Sequence, residues 1–573
     1  MTLNDSAEPG EVEPAPGMGR IPGVLLVIII IFGALARSWN LNWDGGTYNL
    51  HPDEWALNEV VRTLGPDLHP HFFFYGSFPI YLYRATAEVL GILTGMDWLA
   101  QERLALIGRT YSALAGTAIL PLVFAIGRQL WGNLAGLIAA SCAAGAALLI
   151  QAAHFGTVDT LVTLVGVAIF WISLRIAISG AARFYVLAGI VAGLGIATKL
   201  TAVSFLLFPL LAHFGRVRRS GPFLPPMQMD QTLRLPFLVL AVALGTTLLT
   251  SPYYLLAWNE LWATVSVQSA ELNGGYKLPY TWQFIGSTPY LFELRNLVLW
   301  GLGFPLGLAA LVGWGWALMQ IVRQRTIFML LLTSWPTIYL LYIGTWEARF
   351  IRHTLPLVPY CCLFAAGGLI SLMEWLQRMG KGGRRLAGVV AMGVVAGAIV
   401  WGLAYLSIYT SLDSRLAATD WMHSNLEPGT RLVVEDQNQL LPLPSSNYPL
   451  DTYSYSVLRT TSPDTREKMG DFAAVLASGD VLILANRRWS SVLPRHLDFP
   501  LTGRYYRLLF EGELGYEPLA TFASPPQLGP LAWSDDDAEE TFQVFDHPTV
   551  RLFRNTGRLS EEELRRLLAF VQR

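Results

Sequence analysis

Long apolar segments recur through the first 410 residues and constrain the fold of this chain more than any other feature. About 20 consecutive apolar residues suffice for a helix to cross the hydrocarbon core of a bilayer. Such segments lie at about 21–38, 104–127, 132–150, 157–178, 235–256, 297–320, 326–344, 354–376 and 386–409. A further apolar stretch from Tyr185 to Phe214 is too long for one helix and is interrupted by Lys199, so we expect two short spans that meet there. The sequence therefore predicts a mainly α, polytopic membrane protein with about eleven transmembrane helices.

Composition supports this class and excludes others. Of 573 residues, 53% are hydrophobic and only 14% are charged, which excludes a soluble multidomain protein. The formal net charge of −2 and the lack of a basic stripe argue against a nucleic-acid partner. Cys142, Cys361 and Cys362 lie in apolar segments, without the spacing of a disulfide framework or a metal site. We interpret residues 1–20 as a disordered tail and the first apolar segment as a retained anchor, because no small-residue cleavage site follows it.

Basic residues between the apolar segments predict the orientation, because cytoplasmic loops carry an excess of Lys and Arg. These residues are Arg128, Arg175, Arg183, Arg216, Arg218, Arg219, Arg323, Arg325, Arg378, Lys381, Arg384 and Arg385. We therefore expect a cytoplasmic N-terminus, long outer loops at 39–103 and 257–296, and an outer C-terminal region. Because Phe78–Leu93 would add one crossing too many, we expect an interfacial helix there.

A polar stretch directly follows the first apolar segment and places two adjacent carboxylates where the chain leaves the membrane. It reads Tyr48-Asn49-Leu50-His51-Pro52-Asp53-Glu54-Trp55. Pro52 suits the first turn of a helix, so Asp53 and Glu54 are expected near a helix N-terminus. Exposed N–H groups there favour negative charge and keep a carboxylate ionised and able to accept a proton. Helix capping without any catalytic role is the alternative.

Charged residues in or beside later apolar segments are expected on the same outer face. They are His154, Asp159, Lys199, Glu347, Arg349 and Arg352. A charge at the bilayer centre costs about 2.5–3.5 kcal/mol on insertion scales, so such residues pair, lie at an interface or line a polar cavity. Two arginines on the outer side oppose the usual charge bias and indicate an anionic ligand. The alternatives are snorkelling for Lys199, helix capping for Asp159 and a structural ion pair for Glu347.

Together these residues resemble family 39 of the membrane glycosyltransferases. That family belongs to the GT-C group, which includes the protein O-mannosyltransferases and the aminoarabinose transferase of lipid A modification. The resemblance covers roughly 21–410. It is carried by His51-Pro52-Asp53-Glu54 after the first span, His154 and Asp159 after the third, the Gly-rich run ending in Lys199, and Arg349 with Arg352 before a Pro-rich span.

The resemblance implies that a sugar passes from a polyprenyl-phosphate donor to an acceptor hydroxyl on the outer face of the membrane. Asp53 matches the family's first-loop aspartate and is the candidate base, with Glu54 orienting Asp53 or the acceptor. A leaving lipid phosphate calls for fixed cations, and the candidates are Lys199, Arg349 and Arg352. The candidate sugar or acceptor contacts are Asp159, His51, His154 and Glu347. Direct displacement with inversion is the simplest expected reaction.

We expect no catalytic metal and no cofactor. The metal-dependent oligosaccharyltransferases of the wider group rely on an Asp-x-Asp pair in the first outer loop, and none occurs in 39–103. The adjacent side chains of Asp53 and Glu54 do not easily converge on one ion. The expected partners are the bilayer, the polyprenyl-phosphate sugar and a lipid, glycan or protein acceptor. The expected location is the inner membrane of a bacterium.

After Thr410 the chain turns polar, and we expect a small α/β domain at 411–573 on the outer face. Strands are predicted at 431–435 and 481–485, a helix at 413–424 and a hairpin pairing 542–546 with 550–553. Ser560 and Glu563 form a capping box that opens a last helix. We interpret Phe545-Asp546-His547-Pro548-Thr549-Val550, which resembles a terminal motif of some bacterial relatives, as a turn.

The second outer loop is rich in aromatic residues, which suit an interface belt or a cover over the acceptor. They are Trp258, Trp262, Tyr276, Tyr280, Trp282 and Tyr290.

Two other classes fit parts of the sequence. A transporter or lipid flippase would use Asp159 and Lys199 as coupling or substrate residues within the bilayer. No inverted internal repeat is apparent, and the charges gather at one face, so this alternative ranks second. A noncatalytic receptor would leave the Asp53-Glu54 pair and the outer arginines unexplained.

Overall fold

The computed structural model describes residues 19–46, 50–219, 226–275, 277–324, 326–436, 439–443 and 450–569. The expected N-terminal tail falls almost wholly outside these residues. Tyr48, Asn49, Tyr276 and Arg325 also lie outside them.

The first 410 residues are helical apart from short connections. The helices are α1 Arg20–Ser38, α2 Pro52–Thr63, α3 Ser77–Thr94, α4 Gln101–Trp131, α5 Asn133–Gly145, α6 Ala147–Ala153, α7 Asp159–Ser179, α8 Ala182–Ile196, α9 Leu207–Arg219, α10 Pro226–Thr250, α11 Tyr253–Leu256, α12 Trp258–Leu272, α13 Leu291–Asn296, α14 Phe304–Gln324, α15 Ile327–Ile343, α16 Val358–Gln377 and α17 Lys381–Leu406. Short 3₁₀ turns occupy Leu200–Leu206, Pro279–Phe284 and Ile351–Leu357.

The eleven predicted segments all correspond to apolar helices in the described part of the chain, of which eight or nine are long enough to count as candidate spans. Within the described residues, eight helices are long and apolar enough to cross a membrane. The pair α5 and α6, bent by 57°, makes a further candidate, and α8 and α15 are shorter apolar helices. Together they equal the eleven predicted segments. The chain is a multi-pass, mainly α membrane protein.

Two local features follow from particular residues. Lys199 stands between α8 and the 3₁₀ turn at Leu200–Leu206, as the interrupted apolar stretch predicted. At the α5–α6 bend, the backbone of Gly145 approaches α17 so closely that an added Cβ would lie 2.6 Å from the carbonyl oxygen of Ala398. Small residues thus allow α17 to pack directly against this bend.

The first loop contains α2 and α3. The stretch Phe78–Leu93 is helical within α3, and Val89, Ile92 and Leu93 are exposed. This pattern agrees with an interfacial helix, while its position relative to the bilayer stays a prediction.

The C-terminal region is α/β, as predicted. Its helices are α18 Ser414–Asn425, α19 Arg466–Ser478, α20 Arg488–Val492, α21 Pro500–Glu511 and α22 Glu561–Ala569; its strands are β1 Arg431–Glu435, β2 Ser454–Leu458, β3 Val481–Leu484, β4 Tyr516–Phe522, β5 Gln527–Leu528, β6 Leu531–Ala532 and β7 Val550–Asn555. The main sheet has the order β2-β1-β3-β7-β4, and β1 pairs in parallel with β2 and β3. The capping box is present: Ser560 N–H donates to Glu563 and Glu563 N–H to Ser560 Oγ. The boundaries 21–410 and 411–573 stay predictions.

The predicted hairpin is wrong. Strand β7 pairs antiparallel with β3 and β4, whereas residues 542–546 form a turn. The turn packs on membrane helices, and its Asp546 accepts hydrogen bonds from the Tyr405 and Tyr409 hydroxyls of the α17 region at 2.9 and 2.7 Å. Because these contacts take up the segment, it is not available to a strand. The Phe545–Val550 motif does begin in a turn, as predicted, but this turn does not join a pair of strands.

Candidate active site

The carboxylates of the first loop stand at the start of α2, as the proline predicted. Pro52 occupies the first helical position, and His51 Nδ1 caps the helix by accepting the Glu54 N–H at 3.4 Å. Successive helical residues point about 100° apart, so Asp53 and Glu54 face different surroundings. This divergence decides their roles.

Asp53 lines a cavity of about 350 Å³, called the large cavity below. Its lining residues come from distant parts of the chain. Its other charged lining residues are Asp159 from α7, Lys199, Glu271 from α12 and Arg352. Aromatic rings complete its walls, namely Phe72, Phe74, Tyr75, Tyr280, Trp346 and Phe350. A polar floor with aromatic walls suits a sugar, whose ring offers both hydroxyl groups and an apolar face.

Two ion pairs lie in the cavity. The Arg352 guanidinium donates to the Asp53 carboxylate, and Lys199 Nζ donates to Asp159 Oδ1 at 2.7 Å. The Tyr75 hydroxyl also donates to Asp53, at 3.2 Å. The side chains of Lys199 and Arg352 retain 25% and 34% exposure, so an entering ligand can reach them.

The surroundings of Asp53 set its protonation. Burial alone raises the pKa of this carboxyl, but the charges of Arg352 and His51 outweigh burial and lower the pKa to about 2. Asp53 is therefore ionised at neutral pH. It is a weak base for as long as Arg352 remains beside it.

Glu54 lies outside the cavity, which corrects the expected role of orienting Asp53 or the acceptor. It is fully buried, and its two oxygens accept from Arg109 Nε and Nη2 at 2.8 and 2.6 Å. The same guanidinium donates to Asp44 at 3.0 and 2.7 Å, and Gly156 N–H donates to Glu54 at 2.7 Å. This network ties α2 and the chain after α1 to α4.

The two candidate histidines lie in packed surroundings. The His51 ring packs between Phe155 and Phe545, with centroids 4.5 and 4.3 Å away, and burial lowers its pKa. The His154 ring stacks on Tyr409 at 3.7 Å, and its nitrogens lie 2.8 and 3.0 Å from the carbonyl oxygens of Ile150 and Trp39. Neither ring lines the large cavity, although His51 borders a small void of about 30 Å³ beside it.

The two candidate arginines line different cavities. Arg352 reaches the large cavity, whereas Arg349 and Glu347 line a second cavity of about 280 Å³. Arg349 Nε lies 3.2 Å from Glu293 Oε1, and its Nη1 donates to Ser287 at 2.6 Å. Arg349, one of the three candidates for the donor phosphate, therefore faces a different cavity from Lys199 and Arg352.

Comparisons with known proteins agree with this architecture. Residues 99–253 match the family model described as dolichyl-phosphate-mannose-protein mannosyltransferase. The apo oligosaccharyltransferase of Archaeoglobus fulgidus shares the fold at a TM-score of 0.50 and 13% identity, covering 90% of this chain and 75% of that one. The resemblance to the GT-C membrane glycosyltransferases is confirmed.

A second solved GT-C structure is ArnT from Cupriavidus metallidurans bound to undecaprenyl phosphate. Its TM-score is 0.44 at 14% identity, covering 92% of this chain and 97% of that one. No curated protein sequence matches the chain. The family match over residues 99–253 supports glycosyltransferase as the class of enzyme.

Several cavity residues of the GT-C-like fold were not predicted. Tyr75 belongs to the run Phe72–Tyr75, whose aromatic composition was the only local signal. Glu271 lies at the end of α12, where its Oε1 accepts from the Tyr280 hydroxyl at 2.9 Å. Of the described aromatics predicted in the second loop, Tyr280 alone lines the cavity, while Trp282 packs on Trp489 and Phe499 of the C-terminal region.

Proposed function

We propose that the chain transfers a sugar from a polyprenyl-phosphate donor to an acceptor hydroxyl, and that the large cavity is the reaction site. The observation that carries this proposal is the meeting of Asp53, Asp159, Lys199 and Arg352 in one cavity. The family description supports it, because it names a lipid-phosphate-linked sugar as donor. We further propose that the cavity opens to the outer face of a bacterial inner membrane, in keeping with the charge bias of the loops.

The cations of the cavity suit a leaving phosphate. The guanidinium of Arg352 can donate two parallel hydrogen bonds to phosphate oxygens, and the ammonium of Lys199 is a compact positive charge. Each is paired with a single carboxylate, and the negative charge that builds up on the leaving phosphate as the C–O bond breaks competes for both cations. The proposal assigns Lys199 and Arg352 to the donor phosphate and needs no metal for charge stabilisation.

The anions suit the other half of the reaction. In the proposed step the acceptor oxygen attacks the anomeric carbon, its proton passes to Asp53, and the bonding pair of the breaking C–O bond leaves with the phosphate. Withdrawal of Arg352 towards the phosphate would raise the pKa of Asp53, because that guanidinium is the largest influence lowering it. Asp159 is placed to accept hydrogen bonds from sugar hydroxyls, and attack opposite the leaving group inverts the anomeric carbon.

The test is sugar transfer by purified protein in lipid, with a panel of radiolabelled polyprenyl-phosphate sugars. Asp53→Asn is expected to bind donor but to turn over at least about 100-fold more slowly, as expected for loss of a general base. Asp97→Asn, an exposed aspartate of the same loop, is the matched control and should retain wild-type turnover. Equal rates for wild type and Asp53→Asn would contradict the assignment of the base. Absence of donor binding across the panel would contradict glycosyl transfer and favour transport.

A further inference from the structure

We propose a divalent transition-metal site of the zinc class that joins the first loop to α12. Its ligands are His69 and His71 with carboxylates from Asp67 and Glu260. The ligand atoms of Asp67, His69 and His71 all lie within 4.8 Å of one another. This cluster is separate from the proposed reaction site, because none of its four residues lines the large cavity.

The distances to Glu260 fit a shared ion. His71 Nδ1 lies 3.3 Å from Glu260 Oε2, and His69 Nε2 lies 3.5 Å from Glu260 Oε1. Ligand atoms about 2.0–2.1 Å from a tetrahedral zinc are separated by about 3.3–3.4 Å. The two imidazoles and the carboxylate of α12 therefore already have nearly the spacing that one ion requires.

The imidazole of His69 supplies an independent indication. Its Nε2 is buried and makes no hydrogen bond among the described residues, and the ion-pair contact to Glu260 Oε1 is as long as 3.5 Å. Its ring is held by stacking on Tyr253, with centroids 4.2 Å apart and planes 2° from parallel. A buried polar atom without a partner is costly, and a metal ion would satisfy it through the nitrogen lone pair.

The ligand set selects the class of ion. Two imidazole nitrogens with carboxylate oxygens suit zinc and its neighbours, whereas calcium and magnesium prefer oxygen ligands alone. The exposed Asp67 and His71 leave a path from solvent to the site.

A bound ion would fix the spacing of two cavity walls. On one side, Phe72 and Phe74 follow His71 in sequence and line the large cavity. On the other side, Gln268 and Glu271 follow Glu260 along α12 and also line it. The proposed role is therefore positional and not catalytic. The metal proposal does not depend on the proposed sugar transfer, and the two are tested separately.

The test uses full-length, tag-free protein stripped with a chelator and then titrated with zinc. Metal content is measured by mass spectrometry, and the thermal unfolding midpoint is measured with and without zinc. Wild type is expected to bind one zinc per chain and to unfold at a higher temperature with the metal. His71→Asn and Glu260→Gln should each weaken zinc binding by at least about tenfold, the lower end of the loss seen when even outer-shell partners are removed.

The controls separate this site from adventitious binding. His496→Asn removes another histidine beside a carboxylate, Asp498, and should leave zinc affinity and the zinc-dependent rise in unfolding temperature unchanged. His71 and Glu260 are 67% and 46% exposed, so their substitution should not unfold the chain. Substoichiometric zinc in wild type, or affinity unchanged in both cluster variants, would overturn the proposal.

Discussion

At the residue scale, Asp53 and Glu54 are neighbours in sequence with opposite surroundings. Asp53 meets Arg352 in a cavity that a ligand can enter, while Glu54 meets Arg109 in a closed network. The first arrangement leaves a carboxylate within reach of a ligand. The second holds helices together.

We expect the pH dependence of transfer to report the Asp53–Arg352 pair. With a pKa of about 2, Asp53 in the free wild-type enzyme stays ionised throughout the mildly acidic range. Arg352→Gln removes the largest influence lowering that pKa and leaves burial, which raises it. The acid limb of kcat/KM should therefore move to higher pH in the variant, with slower transfer at every pH. An acid limb at the wild-type position would contradict the pairing.

For Glu54 the expected loss is in stability. Glu54→Gln weakens the buried charge-assisted hydrogen bonds from Arg109, which costs about 1–3 kcal/mol because Asp44 still pairs with that guanidinium. Glu59→Gln on the same helix breaks only an exposed pair with Arg62. Thermal unfolding in detergent should show a large loss for the first variant and little for the second. If Glu54→Gln unfolds normally and yet loses transfer, Glu54 is catalytic, as the sequence alone suggested.

At the scale of elements, the turn at 542–546 connects the C-terminal region to the membrane helices. Its Asp546 accepts from Gln151 of α6 at 3.2 Å as well as from Tyr405 and Tyr409. His547 lies between Asp546 and Asp535, with its ring nitrogens 2.6 and 2.5 Å from their oxygens. Burial lowers the pKa of His547, but the two carboxylates outweigh it and raise the pKa to about 10.

This raised pKa predicts a pH-dependent contribution to stability. A histidine whose pKa is raised from its ordinary 6.5 to about 10 contributes fully below pH 6.5, and that contribution is lost as the pH rises through 10. His547→Gln should lower the unfolding midpoint at pH 7, and its difference from wild type should shrink steadily towards pH 10. A difference that is constant across this range would contradict a charged His547.

At the scale of the whole molecule, hydropathy predicted the spans because lipid-facing apolar surface must be continuous along a helix. The break at Lys199 followed from the charge that interrupts a long apolar stretch, and the grouping of Asp53, Asp159 and Arg352 followed from counting crossings. The partner of Glu54 did not, because the charge of Arg109 inside an apolar segment indicates that it needs a partner but not that this partner lies 55 residues away. The hairpin error and the separation of Arg349 from Arg352 have the same origin, since long-range packing decides which surface each segment meets.

Binding of a polyprenyl phosphate to the large cavity is the central claim, and one matched pair of variants tests it most directly. Lys199→Gln removes a cation from the large cavity, and Lys277→Gln makes the same change in the second cavity. With radiolabelled polyprenyl phosphate and protein in lipid, Lys199→Gln should weaken binding by about tenfold or more, consistent with loss of a charge-assisted hydrogen bond. Lys277→Gln should bind as wild type does. Equal weakening by both variants, or weakening by Lys277→Gln alone, would contradict this account.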